Sequence, residues 1–119
     1  MTLIFFLSFI VHYAFAADSQ AAGGNLLIAH RGLSSQAPEN TMSSFDRAAR
    51  EGFDMIELDV QMSKDKHLIV MHDLSLKRTA GLDEKIADLT LKELKNLDAG
   101  FWYDESFEGE QIPLWMRFL

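Results

Sequence analysis

The apolar residues of this chain gather in three short runs, and each run carries or ends in residues able to do chemistry. Residues 25–30 (NLLIAH) lead into His30-Arg31, residues 54–60 (DMIELDV) contain Glu57 and Asp59, and residues 67–72 (HLIVMH) lead into His72-Asp73. Runs this short, bounded by Gly or charge, fit strands better than helices, and the first fits a strand buried on both faces. Between the first two runs, Met42, Phe45, Ala48 and Ala49 recur at helical spacing, behind Pro38 and Asn40 and ahead of Gly52. That pattern predicts a helix within residues 39–51. Strand, helix and strand in this order predict an α/β protein whose site lies beyond the carboxyl ends of the strands.

In the second strand Ile56, Leu58 and Val60 fall on one side and Glu57 and Asp59 on the other. The connector to the third strand, residues 61–66, is too short for a crossover helix. It is either a hairpin turn or an extended return, and the return is the expectation, because it brings Glu57, Asp59 and His72 to one end of the sheet. Thr90 and Glu93 form a capping box ahead of Leu91, Leu94 and Leu97, with Gly100 as a stop, which predicts a short helix over 90–98. Residues 101–109 are aromatic and acidic without a period and read as loop.

Residues 3–11 are apolar apart from Ser8, and Ala14-Phe15-Ala16 offers a small-x-small cleavage pattern. Residues 1–16 therefore read as a signal peptide, residues 17–24 as a linker, and residues 25–119 as the domain. Export to the exterior or the periplasm follows as an expectation. The apolar run is shorter than the ~20 residues of a bilayer span, so no stable membrane span is expected after cleavage. A net charge of −7 with no cluster of Lys and Arg argues against a nucleic-acid partner. The absence of cysteine removes disulfides and thiolate metal sites.

Glu57 and Asp59, two apart on one strand face, present hard oxygen ligands suited to one Mg²⁺ or Ca²⁺ ion. A solvated strand face is the plain alternative for that pair alone. His30, an imidazole able to exchange protons near neutral pH, is followed by Arg31, a fork-shaped phosphate binder. His72 closes another strand. Either histidine alone reads most simply as structural, but two at strand ends beside two carboxylates point to catalysis. His67, of opposite strand parity to His72, and His12, in the leader, read as structural or incidental.

His30-Arg31-Gly32, Pro38-Glu39-Asn40-Thr41, Glu57-Leu58-Asp59-Val60, Lys64-Asp65, His72-Asp73 and Arg78-Thr79 occur in the order found in glycerophosphodiester phosphodiesterases, and the chain resembles that family over about residues 26–113. The resemblance implies the first strands and helices of a (β/α)₈ TIM-type barrel. It implies metal-dependent hydrolysis of a small-molecule glycerophosphodiester to an alcohol and glycerol 3-phosphate. By position, His30 and His72 become the acid/base pair, Arg31 the phosphate binder, and Glu57 and Asp59 the ligands of one divalent cation, Ca²⁺ or Mg²⁺. A barrel of this kind takes about 250 residues, and residues 114–119 (LWMRFL) depart from the family pattern. The expectation is thus a shortened barrel lacking a later metal carboxylate, its activity alone in question. The alternatives are a related phospholipase-D-type lipid phosphodiesterase and a non-catalytic secreted fragment.

Overall fold

The structure is a computed structural model and describes residues 25–115; the expected signal peptide and the expected linker lie outside the described residues, as do residues 116–119. Strand β1 (Ile28–His30) is followed by helix α1 (Met42–Arg50) and strand β2 (Met55–Glu57), and β1 and β2 pair in parallel. Their register sets Ile28 beside Met55, Ala29 beside Ile56 and His30 beside Glu57. This is a strand–helix–strand unit, as the spacing predicts, with the two chemically active strand ends level with each other.

Helix α1 begins at Thr41, whose hydroxyl accepts from the Ser44 amide while the Ser44 side chain accepts from the Thr41 amide. This reciprocal cap satisfies two donors that the first turn leaves free. The helix buries Ser44, Phe45 and Ala48, whereas Ala49, expected on the same face, is exposed. Gly52, at φ +77°, follows the helix end in the left-handed conformation expected of a helix stop.

The expected strand over 54–60 divides in two. Strand β2 stays with β1, whereas strand β3 (Val60–Met62) pairs antiparallel with strand β4 (Leu68–Val70). The change of partner occurs at Leu58-Asp59, where the Asp59 amide is taken by Asn40 Oδ1 at 3.2 Å and the Asp59 carbonyl by the Met71 amide at 2.9 Å. The connector is accordingly a hairpin and not the extended return. Ser63 receives its closing bonds, the His67 carbonyl accepting from its amide at 2.9 Å and its hydroxyl accepting from the His67 amide at 2.9 Å, and Lys66 adopts φ +68°. The Ser63 hydroxyl also donates to Asp65 at 2.7 Å; with the Leu91 amide and His67 it holds the Asp65 carboxyl down at about 2. The hairpin nonetheless returns His72 to the level of Leu58-Asp59, because antiparallel pairing continues through Met71.

Strand β4 is the wall between two cores. Ile69, with Met71, Leu76, Ile86, Leu94, Ala99 and Ile112, forms one; Val70, with Phe45 and Leu58, forms the other. Adjacent strand residues point to opposite faces, so Ile69 and Val70 serve different cores. Residues 112–114 cover the second edge of β4, the Pro113 carbonyl accepting from the Val70 amide at 2.9 Å. Strand β1 differs from the expectation of burial on both faces. Ala29 is buried and Ile28 is 50% exposed, the alternation of a strand covered on one face among the described residues.

Helix α2 (Lys77–Ala80), unforeseen from the sequence, is anchored by buried Leu76 and Thr79. Helix α3 (Leu91–Leu94) carries the expected Thr90/Glu93 capping box but stops early. Beyond Leu94 the amides of Asn96 and Leu97 bond only three residues back, which tightens the turn, and Asp98 then bridges to Gln111. Residues 101–109 are mostly turn, as expected, around one 3₁₀ turn at Glu105–Phe107. Among the described residues no helix is long and apolar enough to cross a membrane.

Candidate active site

The turn after β1 sets the site. Arg31 and Gly32 both have positive φ, +58° and +76°, a reversal that costs a non-glycine residue about 1–2 kcal/mol. It is held by the Arg31 carbonyl, which accepts from the Asn40 amide at 3.0 Å and from the Ser44 hydroxyl at 3.1 Å. The Arg31 backbone therefore leans on the start of α1, and its side chain lies against two carboxylates, Glu39 and Asp59, while its amide meets a third, Glu57.

The Arg31 amide donates to Glu57 Oε2 at 3.1 Å, and one terminal nitrogen, Nη1, donates to Glu39 Oε1 at 3.2 Å. Nε lies 3.3 Å from Asp59 Oδ2. That contact is off the line of a hydrogen bond, so Nε, though buried, forms an ion pair and donates to none of the described groups. His30 Nε2 stands 3.9 Å from Glu57 Oε2, and its side chain is 69% exposed. His30, Arg31, Glu57 and Asp59 are thus brought together, as their positions in the sequence predict.

Asn40 was not foreseen as a site residue. It is buried, has φ +57°, and spends both ends of its amide on Asp59: Nδ2 donates to Oδ2 at 3.0 Å and Oδ1 accepts from the Asp59 amide. Asparagine is one of the few side chains that tolerate this backbone region while offering a donor and an acceptor together.

His72 is joined to the cluster through other residues. Its Nδ1 is 2.6 Å from Asp73 Oδ1, Arg78 Nε donates to Asp73 Oδ2 at 2.8 Å, and Arg78 Nη1 and Nη2 donate to the two oxygens of Glu39 at 2.9 and 2.7 Å. Glu39 thereby bridges Arg78 and Arg31. The Arg78 hydrogen bond, with His72 beside it, draws the Asp73 carboxyl down to about 2. Arg78 and then Arg31 likewise hold Glu39 below the usual carboxylate range against the opposing effect of its burial. Glu39 and Asp73 stand in the motif blocks of the sequence, and the adjacency of Asp73 to His72 was the available signal for the second. Nothing local marks Arg78 as the partner of Glu39, 39 residues away.

Glu57 and Asp59 each commit one oxygen to these neighbours, leaving the other, Oε1 and Oδ1, with no hydrogen bond or ion pair among the described residues. Two hard oxygens of this kind fit a Mg²⁺ or Ca²⁺ ion in chemistry but not in number, since such ions take six or more ligands. Among the described residues no group of three or more His, Cys, Asp or Glu assembles that could hold a metal.

The model of the glycerophosphoryl diester phosphodiesterase family matches residues 30–119. The chain belongs to that family. It is 52% identical over 88 residues to a glycerophosphodiester phosphodiesterase of Caldanaerobacter subterraneus subsp. tengcongensis, an alignment that takes in 74% of this chain and 36% of the relative. Among solved structures it superposes on a glycerophosphodiester phosphodiesterase of Agrobacterium tumefaciens (38% identity, TM-score 0.78, 81% of this chain and 42% of that one). It also superposes on an Oleispira antarctica phosphodiesterase in complex with the product sn-glycerol-3-phosphate (42% identity, TM-score 0.75, 77% and 37%). These neighbours are TIM barrels, and this chain is an α/β part of that architecture. It spans about a third of the length of the curated relatives it matches.

Proposed function

We propose that this chain carries the phosphate-binding and proton-handling part of a glycerophosphodiester phosphodiesterase, which hydrolyses glycerophosphodiesters to an alcohol and glycerol 3-phosphate. The observation that carries the reading is the setting of Arg31: a guanidinium on a left-handed turn, partly buried, between His30 and a group of carboxylates. With Nη1 on Glu39 and Nε against Asp59, Nη2 is the nitrogen left to donate to a phosphodiester oxygen. The Oleispira neighbour, with its bound glycerol 3-phosphate, supports that substrate class.

In this reading Arg31 binds and orients the phosphate. His30, exposed at the mouth of the site, exchanges a proton from one side. His72, with Nδ1 on Asp73, has Nε2 free to exchange a proton from the other. Glu57 and Asp59 would supply two of the ligands of a divalent cation, Ca²⁺ or Mg²⁺, the others coming from outside the described residues, and the chemistry of that ion when bound is to offset charge on the phosphoryl oxygens. The apolar leader over residues 1–16 supports export, which predicts an exported product beginning at Ala17 by N-terminal sequencing.

The test is a titration of the full chain with sn-glycerol 3-phosphate and Mg²⁺ or Ca²⁺, followed by amide NMR, with glycerophosphocholine turnover measured alongside. Shifts at residues 30–31 on adding glycerol 3-phosphate that vanish in Arg31→Ala are expected, beside shifts at residues 57–59 on adding the cation. Binding unaffected by Arg31→Ala would remove the reading. Turnover, where found, is expected to fall about 10²–10⁴-fold in His30→Ala and in His72→Ala.

A further inference from the structure

Arg78 touches neither the phosphate side nor the proton-handling rings directly, yet all three of its nitrogens are committed to site carboxylates. Its Nε fixes one oxygen of Asp73, and its two terminal nitrogens take both oxygens of Glu39. We propose that Arg78 is the positioning residue that locks the His72 ring and the Arg31 guanidinium into one arrangement, an inference that rests on the acid/base reading of His72.

The geometry gives each contact a purpose. His72 and Asp73 lie on a turn after β4 with side chains 42% and 29% exposed, so burial alone does not hold their mutual orientation. A carboxylate with one free oxygen can rotate away from its neighbour. With Oδ2 held by Arg78 at 2.8 Å, Oδ1 is left facing His72 Nδ1 at 2.6 Å. An ionised carboxylate accepts and does not donate, so the proton of that bond belongs to Nδ1, and Nε2 is the bare nitrogen able to take up a proton. On its other edge Arg78 grips Glu39, whose Oε1 also receives Arg31 Nη1 at 3.2 Å. One planar fork thus connects the acid/base side of the site to its phosphate side.

Arg78 is itself held. It sits on α2, five residues past Asp73; buried Leu76 and Thr79 fasten that helix, and the Thr79 hydroxyl bonds Met71 Sδ at 3.3 Å. The guanidinium carbon lies 5.6 Å from the centre of the Trp102 ring, which supports the cation from its face. A lysine retains the charge but cannot supply three coplanar donors to two carboxylates.

The deciding experiment reads the His72 tautomer by imidazole ¹⁵N NMR of the full chain above the range where the ring is protonated, with His72→Gln to assign the signals. In the parent protein Nδ1 is expected to carry the proton. In Arg78→Ala the Nδ1–H population is expected to fall by roughly half, and Arg78→Lys is expected to resemble Arg78→Ala. Should Arg78→Ala fail to give a dispersed spectrum, Glu39→Ala, which removes the acceptors of both terminal nitrogens, is read in the same way and is expected to move the tautomer in the same direction. An unchanged tautomer in whichever variant folds overturns the proposal, and so does full restoration by lysine. Hydrolysis is not the readout: lack of turnover counts against the phosphodiesterase reading alone, and an unmoved tautomer counts against Arg78 alone.

Discussion

Replacing Gly32 with alanine tests the turn that delivers Arg31 to the site. A Cβ at Gly32 would collide with Ser44 Oγ and lie 2.7 Å from Ser44 Cβ and 2.8 Å from the Ser44 carbonyl carbon, and the residue has φ +76°. Two costs add. The left-handed backbone carries about 1–2 kcal/mol for a residue with a side chain, and forcing a methyl into occupied space carries about 1–3 kcal/mol. Gly32→Ala should therefore lose about 2–5 kcal/mol. Gly52, at φ +77°, supplies the control, because a Cβ there would meet nothing within 4 Å. Gly52→Ala carries the backbone part alone, about 1–2 kcal/mol. Urea unfolding of the full chain, followed by far-UV circular dichroism, gives both losses from the shift in midpoint at constant slope. Ser44 also donates to the Arg31 carbonyl, so Gly32→Ala should weaken glycerol 3-phosphate binding, whereas Gly52→Ala should not. Equal destabilisation in the two variants would refute the steric argument.

Acid should loosen the site. Glu39 and Asp73 both titrate below their ordinary values of 4.5 and 3.8, Asp73 at about 2, so their stabilisation is complete above those values and is lost as pH falls toward about 2. Urea midpoints measured down that range should decline, and Asp73→Asn should flatten part of the slope. In the larger core Leu94 is fully buried, and Leu94→Ala should cost about 2–5 kcal/mol. Leu74, half exposed, should change stability by no more than about 0.5 kcal/mol on truncation in the same denaturation assay. Titrating the chain with Mg²⁺ or Ca²⁺ should shift amides around residues 57–59, and Glu57→Gln with Asp59→Asn should abolish those shifts; shifts retained in the double variant would place the cation elsewhere.

The features legible in the sequence are those written in a few neighbouring residues. Thr90 and Glu93 announce their capping box because both partners lie within one turn. The strand–helix–strand unit is announced by the change from a continuous apolar run to helical spacing and back. The four residues at the ends of β1 and β2 meet because parallel pairing levels the strand ends. The hairpin was not legible, since a connector of this length permits either direction. Its direction is settled by Lys66 in the left-handed region and by the two bonds between Ser63 and His67. Ties between distant side chains were equally hidden. Asn40 holds Asp59 across 19 positions, and Ser43 holds Glu110 across 67; no local pattern encodes either partner. Arg78 belongs to the same class: its block was visible and its partners were not.

The hairpin that closes β3 onto β4 also bears on the order in which the site can form. Its β3–β4 ladder spans only residues 60–70, and every group assigned to phosphate, proton or cation handling falls between His30 and Arg78. The longest tie within that set, Arg78 to Glu39, spans 39 positions. Contacts of short sequence separation form quickly, and a chain leaving the ribosome presents its earlier residues first. The turn at Arg31, the Asn40–Asp59 clasp and the Arg78 fork thus take all their polar partners from the first residues to emerge, and residues 91–115 follow to supply the packing beneath them, Leu94 and Ile112 around Leu76 and Trp102 under Arg78.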